Sequence, residues 1–134
     1  MSNDEKCIFC SKTKCKIIYS SNYFFIIRDT AYPVTKHHTL IITNRHISNY
    51  FNLNDEELDD LSKILKKQKE ELIKLDNKIT GFNIGVNVGK DAGQSIMHCH
   101  IHLIPRRKGD VKDPRGGVRG VIPSKQKYEK NKKH

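Results

Sequence analysis

Apolar and polar positions change rhythm several times along this chain. Two β-rich runs come first, Lys16–Tyr19 and Tyr23–Arg28, joined by the turn-like Ser20-Ser21-Asn22. A third short run, Thr39–Thr43 (TLIIT), follows a loop containing Pro33. The rhythm then becomes helical. From Asp55 to Asp76, Leu58, Leu61, Leu65, Leu72 and Leu75 recur at steps of three, four or seven, with Ile64 beside them. Asn54 and Asp55 are good N-cap residues. Glu56, Glu57, Asp59 and Asp60 open the segment and Lys74 stands near its end, as the helix dipole prefers. Past Gly81 the period drops to two. Phe82, Ile84, Val86 and Val88 alternate with Asn83, Gly85, Asn87 and Gly89, which predicts a strand with one apolar and one small, polar face. Lys90–Gly93 reads as a turn, Gln94–Ile104 as a last strand, and Pro105 as its end. Strands, one long helix, then two strands predict an antiparallel α+β domain rather than a βαβ sheet.

The last strand carries the chemistry. It reads His98-Cys99-His100-Ile101-His102, so a strand puts three imidazoles on one face. Met97, Cys99, Ile101 and Leu103 fall on the other face, which suits a core. Imidazole is a nucleophile, a general acid/base and a metal ligand near neutral pH. The row therefore reads as a metal site, as a nucleophile oriented by its neighbours, or as three unrelated histidines. Just upstream, Gly93-Gln94-Ser95 offers backbone freedom, an amide and a hydroxyl, a set suited to phosphate oxygens. Asn83 and Asn87 share the polar face of the preceding strand, although asparagine is depleted in strands. Cys7-x-x-Cys10 is half of a zinc site and needs two more ligands, for which His46 and a triad histidine are available. By spacing alone, zinc and two ordinary buried thiols stand level. Cys15 and Cys99 read as structural.

Composition narrows the setting. The chain has 134 residues, 30% charged and 36% hydrophobic, which suits one soluble domain with a modest core. No apolar run approaches the roughly 20 residues that span a bilayer. The polar start MSNDEKCIFC does not read as a signal peptide, so a reducing cytoplasmic setting is expected. The net charge is +10, and residues 106–134 hold 11 Lys/Arg against 3 Asp/Glu. The expectation is one domain over 1–123 and a flexible basic tail over 124–134. Only Tyr128 interrupts the tail's basic run, so it makes a poor nucleic-acid stacking surface.

Together these stretches resemble the histidine triad family of nucleotide hydrolases and transferases. The motif stands as HCHIHLIPR preceded by GQS, with CIFC, PVTKHHTLIITNRHI and GFNIGVNVG in matching order over residues 7–106. DPRGGVRGVIP is similar to an extension found in a subset of such proteins. The resemblance implies a five-stranded antiparallel sheet with one long and one short helix, usually paired into a homodimer through a continuous sheet. It makes His100 the nucleophile, attacking the α-phosphate of a nucleotide to give a nucleotidyl-histidine intermediate. His102 would stabilise phosphate oxygens, with His98 completing the catalytic row and His38 lining the pocket. Gln94, Ser95 and Asn87 match phosphate-side positions, with Asn83 on the same face. A structural zinc would take Cys7, Cys10, His46 and His98. The implied substrate is a dinucleoside polyphosphate such as diadenosine tetraphosphate. The alternatives are a nucleoside phosphoramidate and a nucleotide-binding regulator with little turnover. Three departures stand out. Lys36-His37 replace the usual Pro-Gly before His38. Asp29, the candidate ribose acid, sits one residue off register, with Thr30 in the aligned place. No tryptophan is present, so a purine would rest on an apolar slot formed by Phe25 and Ile27.

Overall fold

The computed structural model describes residues 7–12 and 15–128. Five strands form one antiparallel sheet: β1 (Ile17–Ser20), β2 (Phe24–Arg28), β3 (Thr39–Thr43), β4 (Ile79–Gly85) and β5 (His100–Arg107), in the order β1-β2-β3-β5-β4. One α-helix, α1 (Asp55–Leu75), links β3 to β4, and the shorter helical pieces are 3-10 turns, among them Tyr50–Asn52. The α+β class and the antiparallel five-stranded sheet are as the sequence predicts.

The helix begins as its sequence dictates. Asn54 accepts from the Glu57 N–H at 2.8 Å, and the Glu57 carboxylate accepts from the Asn54 N–H at 2.9 Å, a complete capping box. Glu57 is buried and also takes Arg45 bidentately, at 2.8 and 2.9 Å. The Arg45 guanidinium holds its carboxyl below the usual glutamate range. Leu61, Ile64 and Leu72 bury against the sheet, whereas Leu58 and Leu75 are exposed at the edges of the stripe.

Each sheet face has its own core. Phe24, Ile26, Ile41, Cys99 and Ile101 meet Leu61 and Ile64 under α1. On the opposite face Phe25, Leu40 and Ile42 are covered by Cys7 and Phe9 of the N-terminal arm. In register, His100 lies opposite Ile42, and His102 lies between Leu40 and Gly85. Opposite residues share a face, so His100 and His102 stand on the face away from the helix.

The last two strands differ from expectation. β4 begins at Ile79 and passes through Gly81, where the register shifts, so Asn87 and Val88 lie beyond it. Ile84 is half exposed because β4 is an edge strand beyond the cover of α1. β5 begins at His100, not Gln94, which leaves His98 in the approach to the strand and Met97 exposed. It also runs through Pro105. The Pro105 carbonyl accepts from the Thr35 hydroxyl at 2.7 Å, on the side where β3 begins only opposite Leu103. A missing N–H there costs no ladder bond.

The start of the expected tail over 124–134 lies among the described residues. Pro123–Lys125 form a 3-10 turn, and residues 126–128 fold back on 113–119. Residues 129–134 lie outside the described residues.

His37 has φ 71°, where the family resemblance has Gly. An L side chain in the left-handed region costs about 1 kcal/mol. Gly also loses more entropy on folding, so His37→Gly is expected to stabilise by about 0.5 kcal/mol and raise Tm by about 2 °C in a thermal melt.

Candidate active site

His38, His100 and His102 form one continuous group of rings. The centroids of His100 and His102 are 5.2 Å apart, as are those of His38 and His102. The hydrogen bonds fix the tautomers. The Val34 N–H donates to His38 Nδ1 at 3.0 Å, so the His38 proton sits on Nε2. Nε2 donates to His102 Nδ1 at 2.9 Å, which leaves the His102 proton on its own Nε2. His100 Nδ1 donates to the His98 carbonyl at 2.7 Å, so His100 keeps a bare Nε2. The protein therefore presents one imidazole lone pair and one imidazole N–H side by side.

Burial lowers the pKa of all three rings, so they are neutral at pH 7. For His102 burial, reinforced by His100 and His38, brings the value down to about 4. Between pH 6.5 and about 4 the unfolded chain takes up a proton at this position and the folded chain does not. This part of the stability is present above pH 6.5 and is lost as pH falls through that window. Thermal melts from pH 7 to 4 are expected to show a drop that shrinks in His102→Gln. An equal drop in both proteins counts against it.

His98 takes no part in this group. It is buried, and its Nε2 donates to the Thr43 carbonyl at 2.7 Å. Its bare Nδ1 then meets Cys7 Sγ at 3.3 Å, Cys10 Sγ at 3.5 Å and His46 Nδ1 at 3.2 Å. Both nitrogens of His98 are engaged away from the His38–His102–His100 group. Cys7, Cys10, His46 and His98 offer four donor atoms within 4.8 Å of one another, a potential metal site. Two thiols and two imidazoles with one lone pair already aimed inward suit a tetrahedral thiophilic ion. Phe9, a residue the sequence did not single out, packs edge-on to His98 and to His100 at 5.9 and 5.1 Å. Its position inside the CIFC turn was the available signal.

The other expected contacts are placed as follows. Asp29 continues the alternation of Phe25 and Ile27 on the site face. Its Oδ1 accepts from the Ala31 and Tyr32 N–H groups, and its Oδ2 lies 3.9 Å from His38 Nδ1. Asp29 therefore reaches the site without the register shift mattering, and Thr30 is exposed. Phe25 is fully buried beneath Cys7 and Phe9 and has no face for a base, whereas Ile27 is half-buried. Gln94 is buried with its amide spent. Oε1 accepts from the Gly89 N–H at 2.9 Å, and Nε2 donates to the Ser48 and Ile96 carbonyls. It holds the 89–96 loop in shape and has no donor to spare for phosphate. Ser95 on that loop is exposed. Asn83 and Asn87 line a groove of about 480 Å³ with His38, His102, Val118 and Val121.

Residues 11–109 match the HIT domain family. The chain belongs to the HIT family. A HIT-like protein of Methanocaldococcus jannaschii is 36% identical over 108 residues, 78% of this chain and 81% of its own. The adenosine 5'-monophosphoramidase of Candida albicans is 33% identical over 119 residues, 80% of this chain and 74% of its own. The asymmetrical bis(5'-nucleosyl)-tetraphosphatase of Schizosaccharomyces pombe is 35% identical over 60% of this chain but only 44% of its own length. Among solved structures, a Zn-bound HIT protein from Mycobacterium smegmatis superposes with a TM-score of 0.71 and 28% identity, covering 81% of this chain and 80% of that one. The triad of this HIT protein, HCHIH, is thus divided: His98 belongs to the potential metal cluster, His102 lines the groove, and His100 stands between them.

Proposed function

We propose that this protein is a nucleotide hydrolase that cleaves at the α-phosphate of a dinucleoside polyphosphate such as diadenosine tetraphosphate. The observation that carries the reading is the His100 tautomer. Nδ1 is bound to a carbonyl, Nε2 is bare, and burial keeps the ring neutral and nucleophilic. The Nε2 lone pair forms a bond to the α-phosphorus while the bond to the leaving polyphosphate oxygen breaks and its electrons leave with that oxygen. Water then attacks the same phosphorus, the N–P bond breaks with its electron pair returning to Nε2, the water's proton passes to solvent, and a nucleoside monophosphate is released. The His102 Nε2–H donates to a phosphate oxygen throughout, held in that tautomer by His38 and the Val34 N–H. Ile27 and Asp29 stand on the β2 side for base and ribose, and Asn87 and Ser95 near the phosphates.

A nucleoside phosphoramidate is the second reading, favoured by the fuller coverage of the Candida albicans relative. A panel of both substrate types with product analysis separates them. Release of a nucleoside monophosphate at the α-position supports either reading, and cleavage elsewhere in the chain sinks both.

We further propose that zinc occupies Cys7, Cys10, His46 and His98 as a structural ion. When bound it would tie the N-terminal arm to β3 and to the approach of β5. None of the four cysteines is in a disulfide, and no helix among the described residues is long and apolar enough to cross a membrane. A homodimer joined along the exposed β4 edge is the expected assembly, and light scattering tests it.

A further inference from the structure

Among the described residues, no cation of the basic C-terminal segment lines the groove beside the site. Arg115 is paired with Asp113 at 3.0 Å, and Lys127 with the same carboxylate at 3.5 Å. Arg119 donates to the Lys125 and Gln126 carbonyls and stacks on Tyr128 at 4.2 Å. Arg106 binds Asp110 bidentately and donates to Asn83 Oδ1 at 2.6 Å. These cations hold the segment to itself and to the sheet. What it turns to the groove is apolar. Val118 and Val121 form one wall although they are 61% and 78% exposed. Across from them stand Ile104, His102 and the two asparagines.

The approach is close. A Cβ on Gly117 would lie 3.2 Å from Asn83 Nδ2, and a Cβ on Gly116 would strike the Gln126 carbonyl. The glycines let the segment lie across β4. Asn83 Oδ1 is taken by Arg106, and its Nδ2 lies beside Gly117, which also lines the groove. Apolar walls, two amides and no lining cation suit a base and ribose, not a chain of phosphates. The groove is continuous with His102 and His38, and it lies on the β4 side of them. Asp29 and Ile27 lie on the β2 side. A molecule with two nucleosides needs a place on each flank.

We propose that residues 113–128 form the roof of a second nucleoside subsite, which takes the far nucleoside of a dinucleoside polyphosphate between Val118, Val121 and the Asn83 amide, with Asn87 at the phosphate end of the same groove. The proposal rests on the reading of the site as a nucleotide hydrolase. Its test is the ratio of kcat/KM for diadenosine tetraphosphate to kcat/KM for adenosine 5'-tetraphosphate, which lacks only the second nucleoside. The variants are Val118→Ala/Val121→Ala and Val118→Asp/Val121→Asp, with circular dichroism to check folding. The expected result is a ratio reduced at least fivefold in the alanine variant and further in the aspartate variant. The milder variant decides if the other does not fold. A ratio within twofold of the parent overturns the proposal, whether both activities fall together or neither does. If the parent hydrolyses neither compound, the hydrolase reading fails. The subsite is then judged by the same ratio of affinities, measured calorimetrically with methylene-bridged analogues of the two compounds.

Discussion

His100→Asn is expected to reduce turnover by roughly a thousandfold or more while leaving the melting temperature nearly unchanged. Asparagine keeps a side-chain N–H for the His98 carbonyl but has no lone pair with imidazole's nucleophilicity. The ring it replaces is half-buried between Phe9 and His102, so the space lost is small. Acid quench of the parent during turnover is expected to trap a nucleotidyl group on His100, and the variant should trap none. Loss of His102 should be milder, because it stabilises charge and forms no bond to phosphorus; His102→Gln retains a donor at the same reach. The ordering distinguishes this scheme from one in which water attacks directly. If His100→Asn retains full turnover, the covalent route is wrong. If His102→Gln is the deader of the two, the roles assigned from the tautomers are reversed.

Much of this was legible in the chain because strand alternation is short-range physics. The period of two puts His100 and His102 on one face, and the capping box at Asn54 and Glu57 fixes where α1 begins. The pairing of Cys7 and Cys10 with His46 and His98 was open by spacing alone and followed only from resemblance. What the chain did not disclose depends on long-range packing. Phe25 reads as a purine platform until Cys7 and Phe9 fold over it. Gln94 reads as a phosphate donor until Gly89, Ser48 and Ile96 take every bond it has. The strand that contains Pro105 reads as ended there, because sequence does not say that its neighbour begins two residues further in. The arginines of the last segment read only as excess positive charge, and their partners Asp110, Asp113 and the 125–126 carbonyls become visible only in three dimensions.

Metal removal should strike the fold and not the chemistry. The four donors come from the N-terminal arm, the segment after β3 and the approach to β5, so an ion there cross-links segments far apart in sequence. Arg45, next to His46, is in turn held by Glu57 at the helix start. The purified protein is expected to carry one zinc per chain, with binding worth several kcal/mol to the folded state. Cys10→Ser, or a strong chelator at pH 7, should lower Tm by about 10 °C. Turnover measured well below the new Tm should survive, because two thiolates and two imidazoles complete the coordination and leave no position for water. The nucleophile would feel the loss indirectly, through Phe9, which packs against both His98 and His100. KM is therefore expected to rise before kcat falls. Instant loss of activity in a chelated protein that remains folded would mean that the metal works on the substrate. A protein that holds no metal at this cluster, and melts at the same temperature with and without chelator, would make it a pair of buried thiols beside two histidines.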